Sequence, residues 1–401
     1  MGPDMEKVCL SSLGGAGENG RNCHLIETAQ GLILLDCGVK REIASGQVGQ
    51  YPALTRELVK NVRAVFLSHC HEDHAAALPL LYELGYEGAV YASPETIRET
   101  PAYIRKWMDY VARNGGQLPY GPDAVERLRL IPVRPQTKTL AGIPVEIGRS
   151  GHVLGGLWCC FQMEGKRILY SGDMCMEPGL LAWDCPGACD AAILDGAHYG
   201  LRLSQEAQYA ALLFAVLACL DGGGKVLLPV PPKGRGVELA LFLGQCLSCV
   251  MVETAIADGV RELARQTAWL KPGVCPQLPE GVQVLDAEAA LQQVGPTVYL
   301  VPDGMLSTSL SLQYYEALKG DPANKIILTG HAAKGTVAAG VLDPAWREAH
   351  QVKAGAEKIV FKVHLDDADL ERLCARTGAK QVVLFHSDTT AQLRFPDQIE
   401  V

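Results

Sequence analysis

The stretch Phe66-Leu67-Ser68-His69-Cys70-His71-Glu72-Asp73-His74 constrains this chain most, because four metal-competent side chains fall within six positions directly after the apolar run Ala64 to Leu67. An apolar run that stops at a cluster of imidazoles reads as a buried strand ending in a metal-binding loop. Imidazole and carboxylate donors suit zinc and related divalent ions. The alternating pair His69 and His71, followed by the adjacent pair Asp73 and His74, can feed two ions, the first pair one and the second pair the other. With only 10 histidines in 401 residues, three of them in six positions argue against a polar surface loop with chance histidines. Cys70 lies between two of these donors and by strand-like alternation is expected to point away from the metals.

Composition narrows the setting. With 48% hydrophobic and 20% charged residues, the chain resembles an ordinary globular protein able to bury a sizeable core, and its length suggests two or three domains. No apolar run approaches the ~20 residues of a membrane span, and the first residues lack a basic region followed by an apolar one. A cytoplasmic protein without a membrane partner is therefore expected. The 14 cysteines form no regular framework, which predicts reduced thiols. The lone pair Cys246 and Cys249 lies in an apolar, helix-like stretch and is expected to be buried as small hydrophobes. A net charge of −9 is awkward for binding nucleic acid. Bound cations would offset it at the reacting phosphate.

Further acids and histidines stand where strands are expected to end. Val8 to Leu13 reads as a strand, followed by a glycine-rich turn through Gly14, Gly15, Gly17 and Gly20 and a second strand around Cys23 to Glu27. Asp36 closes the run Ile33-Leu34-Leu35 and reads equally well as support for a metal ligand or as an ordinary turn. Ala75 to Leu84 is expected to be helical despite Pro79, with Asp73 near its start suited to both capping and metal binding. His152 sits among Gly151, Gly155 and Gly156, and Asp173 follows the run Arg167 to Tyr170 in Ser171-Gly172-Asp173.

In this order, these elements resemble the metal-binding motifs of the metallo-β-lactamase superfamily. The resemblance implies an α/β fold, a four-layer αββα sandwich. It implies that His69, His71 and His152 bind one metal, that Asp73 and His74 bind a second, and that Asp173 bridges them. The second half resembles the β-CASP nucleases: Asp190 to Asp195 followed by Tyr199-Gly200 is similar to motif A, Val363-His364-Leu365-Asp366 to motif B, and Leu384-Phe385-His386 to motif C. Segments at Gly223 to Pro229, Gly234-Arg235, Gly304-Met305 and Gly330 to Thr336 are similar to the family's inserted α/β cap domain. The domains implied are a core at 1–198, a β-CASP cap at 199–348 and a returning core segment at 349–401. Histidine at motif C is the mark of the RNA-processing branch, and His386 is expected to complete the second metal site.

The resemblance thus implies a metal-dependent phosphodiesterase that hydrolyses single-stranded RNA, as endoribonuclease, 5′-exoribonuclease or both, through a hydroxide activated by two divalent ions. Zinc is the expected ion and manganese the alternative. Asp73, Asp195 and His364 are the expected catalytic residues, with His364 as general acid oriented by Asp195. The expected partners are RNA and a second copy of the chain; a C-terminal domain of the ribonuclease J kind is expected to be absent. Rival readings are a DNA nuclease, a small-ester hydrolase, which would not need the cap, and a non-catalytic scaffold, which would have lost ligands. Departures from the family pattern lie at Asp195-Gly-Ala-His-Tyr-Gly200, one residue longer than usual, at Val363-His-Leu-Asp366, which lacks the family's small polar groups, and at Asn19, Asp303 and Pro231-Pro232.

Overall fold

Leu32 to Leu35 are buried along the whole strand Gly31–Leu35, as are all five residues of Ala191–Asp195. A strand that is apolar at every position has both faces covered, and this pattern fixes the layering. The computed structural model describes residues 8–29, 31–44, 47–387 and 392–393. It contains two compact units, Met1–Arg202 with Val363–Val401, and Leu203–Lys362.

In the first unit, one sheet runs in the order Cys9–Gly14, Cys23–Thr28, Gly31–Leu35, Val62–Phe66, Val90–Ala92 and Leu130–Pro132. A second runs Gln392–Leu393, Gln381–Phe385, Ala191–Asp195, Lys166–Tyr170, Leu157–Met163, Ile143–Arg149 and Thr139–Leu140. Alternation along the strands divides their side chains between two faces. Leu25, Leu34 and Val65 pack with Ile104, Trp107 and Val111 of the helix Pro94–Arg113. Trp158, Leu169, Leu194 and Leu384 pack with Leu370, Leu373 and Cys374 of the helix Asp367–Thr377. The opposite faces meet each other, with Phe66 edge-on to Phe161 at 6.5 Å between ring centroids. Helix, sheet, sheet, helix is the expected αββα sandwich.

The second unit holds a six-stranded, wholly parallel sheet in the order Val282–Val284, Val250–Val252, Thr297–Val301, Lys225–Pro229, Lys325–Leu328 and Gly355–Lys358. Its core includes Leu227, Tyr299, Tyr314 and Ile326. Because Gly355–Lys358 pairs with Lys325–Leu328, the inserted unit extends past residue 349, and the chain re-enters the first unit at Val363. Residues 388–391 and 394–401 of the returning segment lie outside the described residues.

Three local expectations need correction. Residues 75–84 form two helices, Glu72–Ala75 and Leu78–Glu83, because Pro79 takes the first turn of a new helix, where its missing N–H costs nothing. Asp73 does not cap: it lies within the first helix, whose N-cap position is His71. Cys246 is exposed at the end of the helix Arg235–Cys246 and Cys249 is half-buried, so the pair is not core. All 14 cysteines are free thiols. Among the described residues, no helix is long and apolar enough to cross a membrane.

Candidate metal centre

The site is assembled by strand direction. Gly31–Leu35 and Val62–Phe66 run parallel, as do Lys166–Tyr170, Ala191–Asp195 and Gln381–Phe385. Parallel strands release their carboxyl ends at one edge, where α/β sheets carry their sites. Asp36, His69, Asp173, Asp195 and His386 each stand at, or within three residues after, such an end. His152 comes from the turn after Ile143–Arg149, and that turn is tied down by Ser93, which donates to the Gly155 carbonyl at 2.7 Å.

Three overlapping groups of donor atoms result: His69, His71, His152 and Asp173; Asp73, His74 and His386; and Asp173, Asp195, His364 and His386. Nε2 of His69 lies 3.0 Å from Nδ1 of His71 and 3.6 Å from Oδ2 of Asp173. The same carboxylate oxygen lies 3.5 Å from Nε2 of His152. Its other oxygen lies 3.1 Å from Nε2 of His74 and 3.4 Å from Nδ1 of His386. Oδ2 of Asp73 reaches Nε2 of His386 at 3.4 Å. Every residue named from the sequence as a ligand is gathered here, and Asp173 stands between the two clusters. Cys70 is buried and belongs to none of the three groups.

The donor set fits divalent cations. His152 donates through Nδ1 to the Val363 carbonyl at 2.8 Å, which leaves the Nε2 lone pair facing inward. Nε2 of His152 and Nδ1 of His386 are buried and form no hydrogen bond among the described residues. A buried polar atom left unsatisfied costs about 1–3 kcal/mol, and a cation in each cluster would satisfy these atoms.

Around the donors lies a set of orienting contacts. Asp36 accepts from the Ser68 backbone N–H and hydroxyl, both at 2.6 Å, and from the Tyr170 hydroxyl at 2.5 Å, and it lies 2.6 Å from Nδ1 of His74. It is the supporting residue rather than a mere turn former. Asp36 and His386 both have left-handed backbones, at φ 58° and 59°. Non-glycine residues rarely adopt this conformation, and it is held by packing at functional sites. Gly38 permits the closest approach, since a Cβ there would lie 1.7 Å from the Asp73 carbonyl oxygen. Any side chain at this position would displace the metal loop.

The histidines of the site divide by charge. Burial, with His74 and His71 adding repulsion, holds His69 well below its ordinary pKa; burial also lowers His71 and takes His152 to about 3. These three offer lone pairs at neutral pH. Burial opposes charging of His74 and His386 as well, yet Asp173 and Asp73 outweigh it and raise His74 well above normal and His386 to about 9. Asp173 is held well below the carboxylate range against its own burial, chiefly by His74 and His386. His198 is depressed to about 4, mainly by burial.

Asp195 and His364, far apart in sequence, form a hydrogen-bonded pair at 2.8 Å beside the donors. Burial raises the pKa of Asp195, but His364 turns the balance downward. Three contributors were not legible in the sequence: Ser68, Tyr170 and Asn22, whose amide lies 2.9 Å from Nε2 of His74. Ser68 immediately precedes His69, and Tyr170 closes the strand before Ser171-Gly-Asp173, so adjacency to a motif was their only signal.

An αββα sandwich with two joined His/Asp clusters at its strand ends is a metallohydrolase architecture, and comparison with known families agrees. The chain belongs to the metallo-β-lactamase superfamily, whose model matches residues 16–217; residues 245–341 match the β-CASP domain, which places it in that branch. It is similar to transcription termination factor FttA of Cenarchaeum symbiosum, with 26% identity covering 97% of this chain and 65% of the relative. Endoribonuclease YSH1 of Candida albicans is 25% identical over 96% of this chain and 49% of its own length. An RNase J-like protein of Methanocaldococcus jannaschii is 24% identical, covering 97% and 94%. The chain thus spans 65% and 49% of the length of the first two.

Proposed function

We propose that the chain is a metal-dependent phosphodiesterase of the cytoplasm that hydrolyses single-stranded RNA. The observation that carries this reading is the position of Asp173, one buried carboxylate within 3.6 Å of His69, His152, His74 and His386, with the Asp195–His364 pair alongside. His69, His71, His152 and Asp173 would hold one divalent ion, and Asp173, Asp73, His74 and His386 the other, with zinc favoured by the five imidazoles. Bound there, the ions supply Lewis acidity and neutralise charge on the phosphodiester.

The protein's own groups perform the remaining work. Asp36 fixes His74 through Nδ1, and Val363 fixes His152 through its carbonyl, so both rings present Nε2. Asp195 holds His364 at Nδ1, leaving Nε2 to give a proton to the departing ribose oxygen as the P–O3′ bond breaks. Water supplies the new oxygen on phosphorus. The products are a 5′-phosphate and a 3′-hydroxyl.

RNA is favoured over DNA by His386 at the second cluster and by relatives named as an endoribonuclease and as RNase J-like. Free cysteines throughout support a reducing compartment. The test is elemental analysis of the purified protein, together with cleavage of labelled single-stranded RNA and DNA of one sequence, with and without chelator. Close to two ions per chain and chelator-sensitive cleavage faster on RNA are expected. Equal or faster cleavage of DNA overturns the RNA assignment.

A further inference from the structure

Two of the departures from the β-CASP pattern, those after Asp195 and around His364, meet in space. His198, in the lengthened turn after Asp195, forms an isolated parallel bridge with Asp366, in the altered segment around His364. The turn is fixed from both sides. Ala197 donates its backbone N–H to Oδ1 of Asp195 at 3.0 Å, Gly200 donates to Oδ1 of Asp367 at 2.9 Å, and Asp367 donates to the Leu201 carbonyl. This sets the His198 ring 5.1 Å from that of His364, with the planes at 76°.

Nδ1 of His198 is buried and has no hydrogen-bond partner among the described residues. An unsatisfied buried polar atom calls for an explanation such as a ligand or a catalytic use. Nearby carboxylates are engaged elsewhere: Oδ2 of Asp195 accepts from Met174 N–H and His364, and Oδ1 of Asp366 accepts from Asp369 N–H at the start of its helix. An apolar ring would fill the same volume without the cost of an orphaned nitrogen. An imidazole here is better explained by what arrives beside His364 than by packing.

We propose that His198 is a substrate-binding residue whose Nδ1–H donates to an oxygen of the scissile phosphodiester, next to the proton that His364 delivers. It stands in for the small polar groups missing from the Val363-His-Leu-Asp366 segment. The assignment rests on the phosphodiesterase reading. A hydrogen bond to a charged group contributes about 1.5–3 kcal/mol, which corresponds to roughly 10–100-fold in rate.

Three variants of the metal-loaded protein test it. His198→Phe keeps the ring volume and removes the nitrogen, His198→Asn puts an amide near the Nδ1 position, and His198→Gln puts one near Nε2. On single-stranded RNA, His198→Phe is expected to lose about 10–100-fold in kcat/KM, with metal content unchanged, and His198→Asn to retain most activity. A purely structural ring predicts the reverse order, and that order, or a His198→Phe protein with wild-type kcat/KM, overturns the proposal. Where His198→Phe fails to fold, Asn exceeding Gln supports it and Gln equal to or above Asn overturns it. If the wild-type protein cleaves no RNA, the phosphodiesterase reading fails separately. The affinity of a fluorescent single-stranded RNA oligonucleotide measured in chelator then decides the role of His198: weaker binding by Phe and Gln than by wild type and Asn upholds it, and equal binding by all removes it.

Discussion

Nδ1 of His364 lies 2.8 Å from Oδ2 of Asp195, so the imidazole donates there and its Nε2 remains available, although 169 residues separate the two in the chain. Asp195 ends a buried strand and its carboxylate also accepts from Met174 N–H at 3.1 Å, which leaves it little freedom to turn away. The pair is thus pre-set rather than assembled by substrate.

This arrangement separates proton transfer from metal binding. His364→Ala is expected to lose about 10²–10⁴-fold in activity, the usual contribution of a positioned general acid, while retaining two ions. Asp195→Asn is expected to lose less. Combining them should cost little more than His364→Ala alone, since residues acting as a unit are strongly non-additive. Metal analysis and cleavage rates on the same samples decide the matter. A fully active His364→Ala removes the acid role, and loss of metal places His364 among the ligands.

Asp173 carries the opposite expectation. Its two oxygens lie 3.1 to 3.6 Å from nitrogens of both clusters. Asp173→Ala is therefore expected to lose at least one of two ions and to be inactive. Wild-type metal content by elemental analysis would show that the carboxylate does not bridge.

How much of this could be seen in the chain alone depends on whether contacts are local. The His69 to His74 cluster was legible because its donors are adjacent, and Asp173 and Asp195 because they follow it in the order of the family's motifs, whereas Asp36 alone read equally well as an ordinary turn. The split of residues 75–84 into two helices was not, since the periodicity of the apolar side chains continues across the break while Pro79 resets the backbone. Nor were Asn22 and Tyr170 visible, since their roles come from folding strands distant in sequence against the loop. The exposure of Cys246 was missed for a similar reason: an apolar stretch does not say where its helix ends.

In the second unit, Glu253 is buried and accepts from the Tyr314 hydroxyl at 2.5 Å. Burial raises its pKa, and the hydrogen bond from Tyr314 only partly offsets this. A folded-state pKa above the unfolded one means that the folded protein holds the proton more tightly. The associated stability is present below the ordinary carboxyl pKa and is lost as pH rises through the raised value. Glu253→Gln keeps an acceptor for Tyr314 but cannot ionise. Its thermal midpoint at pH ~8 is expected to exceed that of the wild type by on the order of a degree or two, with the gap closing near pH ~4. A gap that widens on acidification would reverse the sign.

The last prediction concerns Asp36, which touches no proposed ion but orients a ligand. It is fully buried, with Oδ1 taken by Ser68 N–H and Oδ2 facing the Ser68 hydroxyl, the Tyr170 hydroxyl and Nδ1 of His74. The backbone would tolerate the substitution Asp36→Asn, because asparagine adopts left-handed φ more readily than other non-glycine residues. The new amide, however, must place an N–H against a donor whichever way it turns. Asp36→Asn should therefore loosen His74 while leaving the His69, His71 and His152 cluster intact. Supporting carboxylates of this kind typically contribute about 10–100-fold in metal affinity, so titration with zinc is expected to resolve one site of near wild-type affinity and one weakened by that factor. Tyr170→Phe removes one donor to the same oxygen and is expected to fall between wild type and Asp36→Asn. Two sites of unchanged affinity in Asp36→Asn would reduce Asp36 to a structural turn residue, and equal weakening of both would mean that it holds the whole loop rather than one histidine.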